Sequence, residues 1–392
     1  MASRVDLLPL VLVLLTGCPG PAVEISHDEG SSSTATGSVG TSSTGLDAPT
    51  SSSSSGSADV TTSSAESTTT AVGDDSTTGT MAPSDPGCPD CIVLVDALVG
   101  GRGLALDASH VYFTDQSQGT VSRILKDGGD GGVLVEGQDA PYDIAVDDTH
   151  VYWTNFADDG AVMRAPKDGG RPELVASATR PRPVVVNDTH VYWASFEVDD
   201  GDLFRIDLGL VSPEEHLASI ASGIAGLALG DTHVYFTAHA EIGGSTFISG
   251  PNEEPIGGVF QVPFVGMPDP FNPTLLAGDQ AQPWGLSLAP SGALVWANGD
   301  GLPGNDANSL MTLPAGGSPQ VLDGSASAPW GVATDTTWAY YTDNDRVFAV
   351  DLEGGAPVPL AAQQNGARSI AVDDDDVFWI TRERVLQRPK PR

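Results

Sequence analysis

Cationic side chains are scarce in this chain. Its 392 residues carry 17 Lys and Arg against 52 Asp and Glu, a formal net charge of −35. Phosphate contacts need Lys and Arg, so nucleic acid and anionic membrane surfaces are excluded as partners. The acid is spread over most of the chain, which describes a solvated surface rather than a charged tail. No apolar run is long enough to cross a bilayer as a helix; the longest near the N-terminus is Leu7 to Leu15. No Gly-x-Ser-x-Gly elbow is present, so the sequence offers no ready serine nucleophile. Only three cysteines occur, Cys18, Cys88 and Cys91.

The N-terminus reads as an export signal: Arg4 gives a thin positive region and Leu7 to Leu15 the apolar one. It ends in Leu15-Thr16-Gly17-Cys18, which resembles the bacterial lipobox. That resemblance implies a signal peptide over residues 1–18, acylation at Cys18, and a membrane contact made only through the lipid. Pro19 stands where an Asp would favour inner-membrane retention, and so leans toward the outer membrane or cell surface. Residues 19–87 are expected to be a disordered stalk. Its body is Ser, Thr, Gly and Asp, which bury too little to offset the entropy of ordering. As a coil of ~60 residues it would reach on the order of 40 Å, and it is a glycan-acceptor candidate. Cys88 and Cys91 form Cys-Pro-Asp-Cys. A redox pair would need a helix N-terminus beside a βαβ pattern; a strand follows instead, so an oxidised small loop is the preferred reading.

The remaining residues, 88–392, carry one five-residue phrase seven times. It reads Val-Tyr-Phe-Thr-Asp at 111–115, Val-Tyr-Trp-Thr-Asn at 151–155 and Val-Tyr-Trp-Ala-Ser at 191–195. Further copies start at 234, 294, 339 and 377, giving spacings of 40, 40, 43, 60, 45 and 38 residues. A period near forty with several short strands per unit predicts a blade, and hence an all-β, seven-bladed β-propeller with four antiparallel strands per blade. In the second unit, Ile144 to Val146 suits the crowded centre, Val151 to Thr154 supplies aromatic bulk, and Lys167-Asp168-Gly169-Gly170 makes a hairpin turn. The last unit lacks its outer strand, whereas residues 92–96 look like an outer strand with no blade. Pairing the two would close the ring and remove its sheet edges. The phrase resembles the Tyr-Trp-Thr-Asp repeats of low-density-lipoprotein-receptor propellers and, more loosely, the NHL class. The likeness covers 92–392, with seven units where the receptor family has six and without the Cys-rich modules that flank those domains. Lipobox, stalk and propeller together resemble surface lipoproteins of large-genome bacteria.

Residues repeated once per blade are read as structural: His110, His150, His190 and His233 precede the same Val-Tyr pair, and Asp107, Asp147 and Asp373 suit turns. The column just before each inner-strand motif breaks symmetry. It holds Arg102, Tyr142, Arg182, Ala225, Trp284, Trp330 and Arg368. These should ring one mouth of the channel. Arg presents a fork to carboxylates and phosphates, and Trp and Tyr give flat faces with a polar tip; packing at the blade junction is the competing role. The loops after the phrase should open on the same face, their acids, Asp115 and Asp343 among them, solvated by default. Two are enlarged, 239–258 and 299–308. Asn298, Asp300 and Asp306 offer hard oxygens that suit calcium, though their spacing is not that of an EF-hand loop. No other cofactor is implied. His239, expected in a face loop, and Glu241 two residues on are the catalytic candidates. The first expectation is therefore a monomeric binding module for a protein, glycan or small anion at the channel mouth. The alternatives are a propeller lyase or hydrolase, using His239 or loop-bound calcium, and a purely structural or assembly protein.

Overall fold

The computed structural model describes residues 84–197, 201–239, 257–264, 273–299 and 308–392. The signal peptide with Cys18 and all of the stalk before Ser84 lie outside them, as do Glu241, Asp300 and Asp306. The described residues form seven antiparallel sheets and no helix. Six sheets are four-stranded meanders and the seventh is closed from both chain ends; strands are labelled A to D from the axis outward. The innermost strands are Gly101–Leu106, Pro141–Val146, Pro181–Val186, Gly223–Leu229, Pro283–Leu288, Pro329–Thr334 and Ile370–Val372. This is a seven-bladed β-propeller.

The ring closes through both chain ends. Strand D of blade seven is Cys88–Val95, which pairs antiparallel with Val385–Pro389 (Ile92 opposite Gln387, Val93 opposite Leu386). It starts four residues earlier than the sequence pattern indicates. A two-residue strand, Ser84–Asp85, folds back on its outer edge, so this blade has five strands. Cys88 and Cys91 are joined in a disulfide at the turn end of that strand. Arg384 pairs with the buried Asp85, and Gln364 of the blade-six to blade-seven connection donates to the same carboxylate (3.0 Å), tying the closure to its neighbours.

The aromatic phrase is strand B. Its residues fill the spaces between blades: Tyr112, Trp153, Tyr192, Trp296, Tyr340 and Trp379 are almost fully buried. Burial of this kind leaves indole and phenol protons to be satisfied. Gln138, Gln280 and Gln364, near the ends of strands D, accept from the indoles of Trp153, Trp296 and Trp379 at 2.9–3.0 Å. Asp107, Asp147 and Asp335 accept the Tyr112, Tyr152 and Tyr340 hydroxyls at 2.7–2.9 Å while capping the backbone N–H groups of their own turns. Burial alone would raise these carboxyls; the accepted hydrogen bonds outweigh it and hold all three below the usual range. The repeated Asp and His residues are thus turn and strand-start groups.

Several of the few cations lock blades together. Lys126, Lys167 and Lys390 reach Asp373, Asp107 and Asp335 of the preceding blade at 2.6–2.8 Å. Arg164 and Arg205 donate to backbone carbonyls of the following blade, at Leu208 (2.7 Å) and Phe264 (2.8 Å). Two loop acids prove to be buried caps rather than solvated groups. Asp115 accepts from Val99, Ser117 and Gln118, and Asp343 from Ser327 and Ala328.

Candidate functional site at the channel mouth

The seven-residue column does form a collar. Six members sit inside strand A rather than ahead of it, because these inner strands begin earlier than the apolar pattern suggests; Arg368 lies two residues before Ile370–Val372. Five of them carry the same irregularity: Pro141 faces Asn155 but Ile144 faces Trp153, so Tyr142 and Asp143 together oppose Thr154 alone. The same extra residue follows Gly101, Pro181, Pro283 and Pro329. A bulge re-aims side chains locally, and here it turns the collar into the channel.

The Thr of the phrase staples this geometry. Thr154 Oγ1 accepts from the Asp143 N–H (3.1 Å) and donates to the Arg182 carbonyl of the next blade (2.9 Å). Thr114, Thr237 and Thr342 donate likewise to the carbonyls of Tyr142, Trp284 and Arg368 at 2.7–2.9 Å. Close approach of these carbonyls explains the glycines that follow several collar residues. A Cβ on Gly331 would lie 2.1 Å from the Arg368 carbonyl oxygen, and one on Gly285 2.4 Å from that of Trp330.

The collar and the next one or two residues of each inner strand line a cavity of about 180 Å³. All seven collar side chains are partly accessible. The Trp284 and Trp330 rings stack at 4.1 Å. Arg368 lies over Trp330 (4.4 Å) and Arg102 over Tyr142 (5.0 Å). The Arg182 guanidinium is 3.7 Å from the centre of the Phe196 ring, 5.0 Å from Tyr142 and 5.1 Å from Trp284. It contacts both flanking aromatics because the blade between them contributes only Ala225. Aromatic faces hold guanidinium charge by cation–π attraction without neutralising it. Burial pushes the Arg368 pKa down, and the nearby charge of Arg102 pushes it further.

A second tier, which the sequence pattern did not single out, braces the collar. It is the residue directly after each phrase: Gln116, Phe156, Phe196, His239, Gly299, Asn344 and Arg382. Gln116 accepts from Arg102 Nε (2.7 Å), Phe156 packs on Tyr142 (5.4 Å), and the Gly299 carbonyl accepts from the Trp284 indole (2.7 Å). His239 belongs to this tier. It is the last residue of strand His233–His239, not part of a loop, and is buried between Trp284 (4.2 Å) and Phe196 (5.5 Å). Burial, then the charge of Arg182, lowers its pKa to about 4. Neither ring nitrogen has a hydrogen bond of good geometry, although the Gln282 side chain is close enough to offset part of that shift. A neutral, enclosed imidazole is poorly placed for acid–base work near neutral pH.

Asn298 turns inward. Its Oδ1 accepts from the Trp296 indole (3.1 Å) and its amide donates to Gln280 (3.0 Å), so it holds the core of blade five rather than a loop cation. Among the described residues Asp143 is the one carboxylate lining the cavity. Burial pushes its pKa up to about 6, against the hydrogen bonds it accepts from the Val184 and Ile144 N–H groups. The signal for it was present: the column after the collar holds Gly103, Asp143, Pro183, Gly226, Gly285, Gly331 and Ser369, and only one of these is charged.

No protein family and no curated protein sequence matches the chain. Solved structures match its fold. Streptogramin B lyase aligns with a TM-score of 0.59 at 13% identity, over 76% of this chain and 96% of its own. Hydrazine synthase of Kuenenia stuttgartiensis aligns at 0.57 and 15% identity, over 75% and 96%. A gluconolactonase of Xanthomonas campestris gives 0.48 and 15% identity, over 78% and 91%. At such identities the first two likenesses bear on the fold alone.

Proposed function

We propose that the channel mouth binds a small organic anion, with carboxylate the simplest class, and that the propeller is a binding module. One observation carries this reading. Three arginines, Arg102, Arg182 and Arg368, line a single 180 Å³ cavity in a chain of net charge −35, while Lys126, Lys167, Lys390, Arg164 and Arg205 serve blade-to-blade contacts. Three guanidinium groups lining one cavity can direct their N–H donors at a single anion. The planar guanidinium suits a carboxylate, and Trp284 and Trp330 offer apolar faces to the rest of the ligand. The cavity equals about six waters at their liquid volume. A glycan or peptide would therefore enter only by a terminal unit.

Calorimetric titration of the full chain with acetate, propionate and lactate tests the reading. Saturable binding that weakens as salt is raised is expected. Absence of binding for every carboxylate overturns it.

The lipobox-like Leu15-Thr16-Gly17-Cys18 and the Ser/Thr-rich segment after it support presentation of this module at a membrane surface through an acylated Cys18. Metabolic labelling with a radioactive fatty acid should mark the full chain and not Cys18→Ala; equal labelling of both would contradict the anchor. A lyase or hydrolase is the second reading. It is favoured by a carboxylate lining the cavity, Asp143, whose pKa burial pushes up to about 6. Chemical change in any bound ligand during those titrations would move the assignment from binding to catalysis.

A further inference from the structure

Resting on the anion-binding reading, we infer that Asp143 is a second recognition point, which selects carboxylates bearing a hydrogen-bond donor on the adjacent carbon: α-hydroxy or α-amino acids over plain acids. The argument begins with position. Asp143 follows Tyr142 in the bulge of blade two and lines the same cavity as the three collar arginines. Its backbone is pinned by Thr154, and its carboxylate accepts from the Val184 N–H of blade three (3.0 Å). The group is therefore fixed between two blades. The charged and titratable groups lining the same cavity are Arg102 from blade one, Arg182 from blade three and Arg368 from blade seven, with Tyr142 beside it on its own strand.

A carboxylate has about four acceptor positions, and two backbone N–H groups occupy half of them here. The residue is partly accessible and lines the cavity. A ligand anchored by its own carboxylate on the arginines would need a donor at its other end to meet Asp143. In a cavity of about 180 Å³ a short ligand reaches both groups most directly with that donor on the carbon next to its carboxylate. A ligand lacking it would leave a desolvated acceptor unpaired, which costs more than the missing bond alone gains.

Three ligands of one shape test this: propionate, lactate and alanine, which differ only in carrying H, OH or NH₃⁺ beside the carboxylate. Calorimetry on the full chain at pH 7.5 should find lactate or alanine bound about tenfold or more tightly than propionate. Only ionised Asp143 is a pure acceptor, so the preference should grow as pH rises through 6 and shrink below it. In Asp143→Asn and Asp143→Ala, each checked for an unaltered cooperative melt, the pH dependence of the ratio should vanish, and in Asp143→Ala the ratio should fall toward one. Equal affinity for all three ligands in the unaltered protein, or a pH-dependent preference that survives both substitutions, overturns the inference and leaves anion binding standing. Failure of all three to bind overturns anion binding itself.

Discussion

Arg182→Ala and Arg368→Ala should each weaken carboxylate binding by about ten- to a hundredfold, the range expected when one charged hydrogen bond is lost from a partly buried site. Stability should respond differently in the two. Arg368 is held with its pKa pushed down by burial and by Arg102, so removing it relieves repulsion, and the melting temperature should hold or rise. Arg182 packs 3.7 Å from Phe196, and its loss also removes aliphatic and cation–π contact. Arg182→Met separates the two effects, restoring most of the packing without the charge. Affinities from calorimetry and melting temperatures from circular dichroism check the pair. Unchanged affinity in both variants would mean that the ring is only packing.

The tryptophans divide into two classes with opposite expected behaviour. Trp153→Ala, Trp296→Ala and Trp379→Ala should each lower stability by about 3–5 kcal/mol, the usual cost of emptying a large aromatic site in a core. Each of these side chains is fully buried between blades, and each leaves a Gln without its indole donor. Trp284→Ala should cost much less stability, because its ring is partly accessible in the collar, yet should weaken ligand binding at least tenfold. Denaturant midpoints compared with affinities read out both classes. If Trp284→Ala destabilises as much as Trp296→Ala, the collar is part of the core and its functional reading falls.

The propeller was legible because its cause is periodic. The phrase returns once per blade because every blade must fill the same wedge with aromatic bulk, and the orphan strand near residue 92 signals closure because an open ring would leave two edges. The collar was legible for the converse reason: at one column the repeat stops repeating. What the sequence concealed was geometry that alternation does not encode. Bulges placed Tyr142 and its equivalents within strand A, whereas period-two reading starts that strand at Ile144. The Thr of the phrase looked like an ordinary strand residue, although its hydroxyl joins a bulge to the next blade. His239 seemed to stand outside the repeat because blade four is offset by the long insertion beside it; alignment by strand places it in the tier with Phe156 and Phe196. Asn298 had the chemistry of a calcium ligand but faces the core, and composition cannot tell a loop oxygen from one bound to a buried indole. Asp115 and Asp343 mislead in the same way: capping a turn from within and bathing in solvent look alike in sequence.

A crystal structure of the full chain grown with lactate tests the account most directly. The lactate carboxylate should lie in the collar cavity, within hydrogen-bonding distance of at least two of Arg102, Arg182 and Arg368, with its hydroxyl toward Asp143. Lactate bound at another place on the propeller, with the collar holding only solvent, would contradict it.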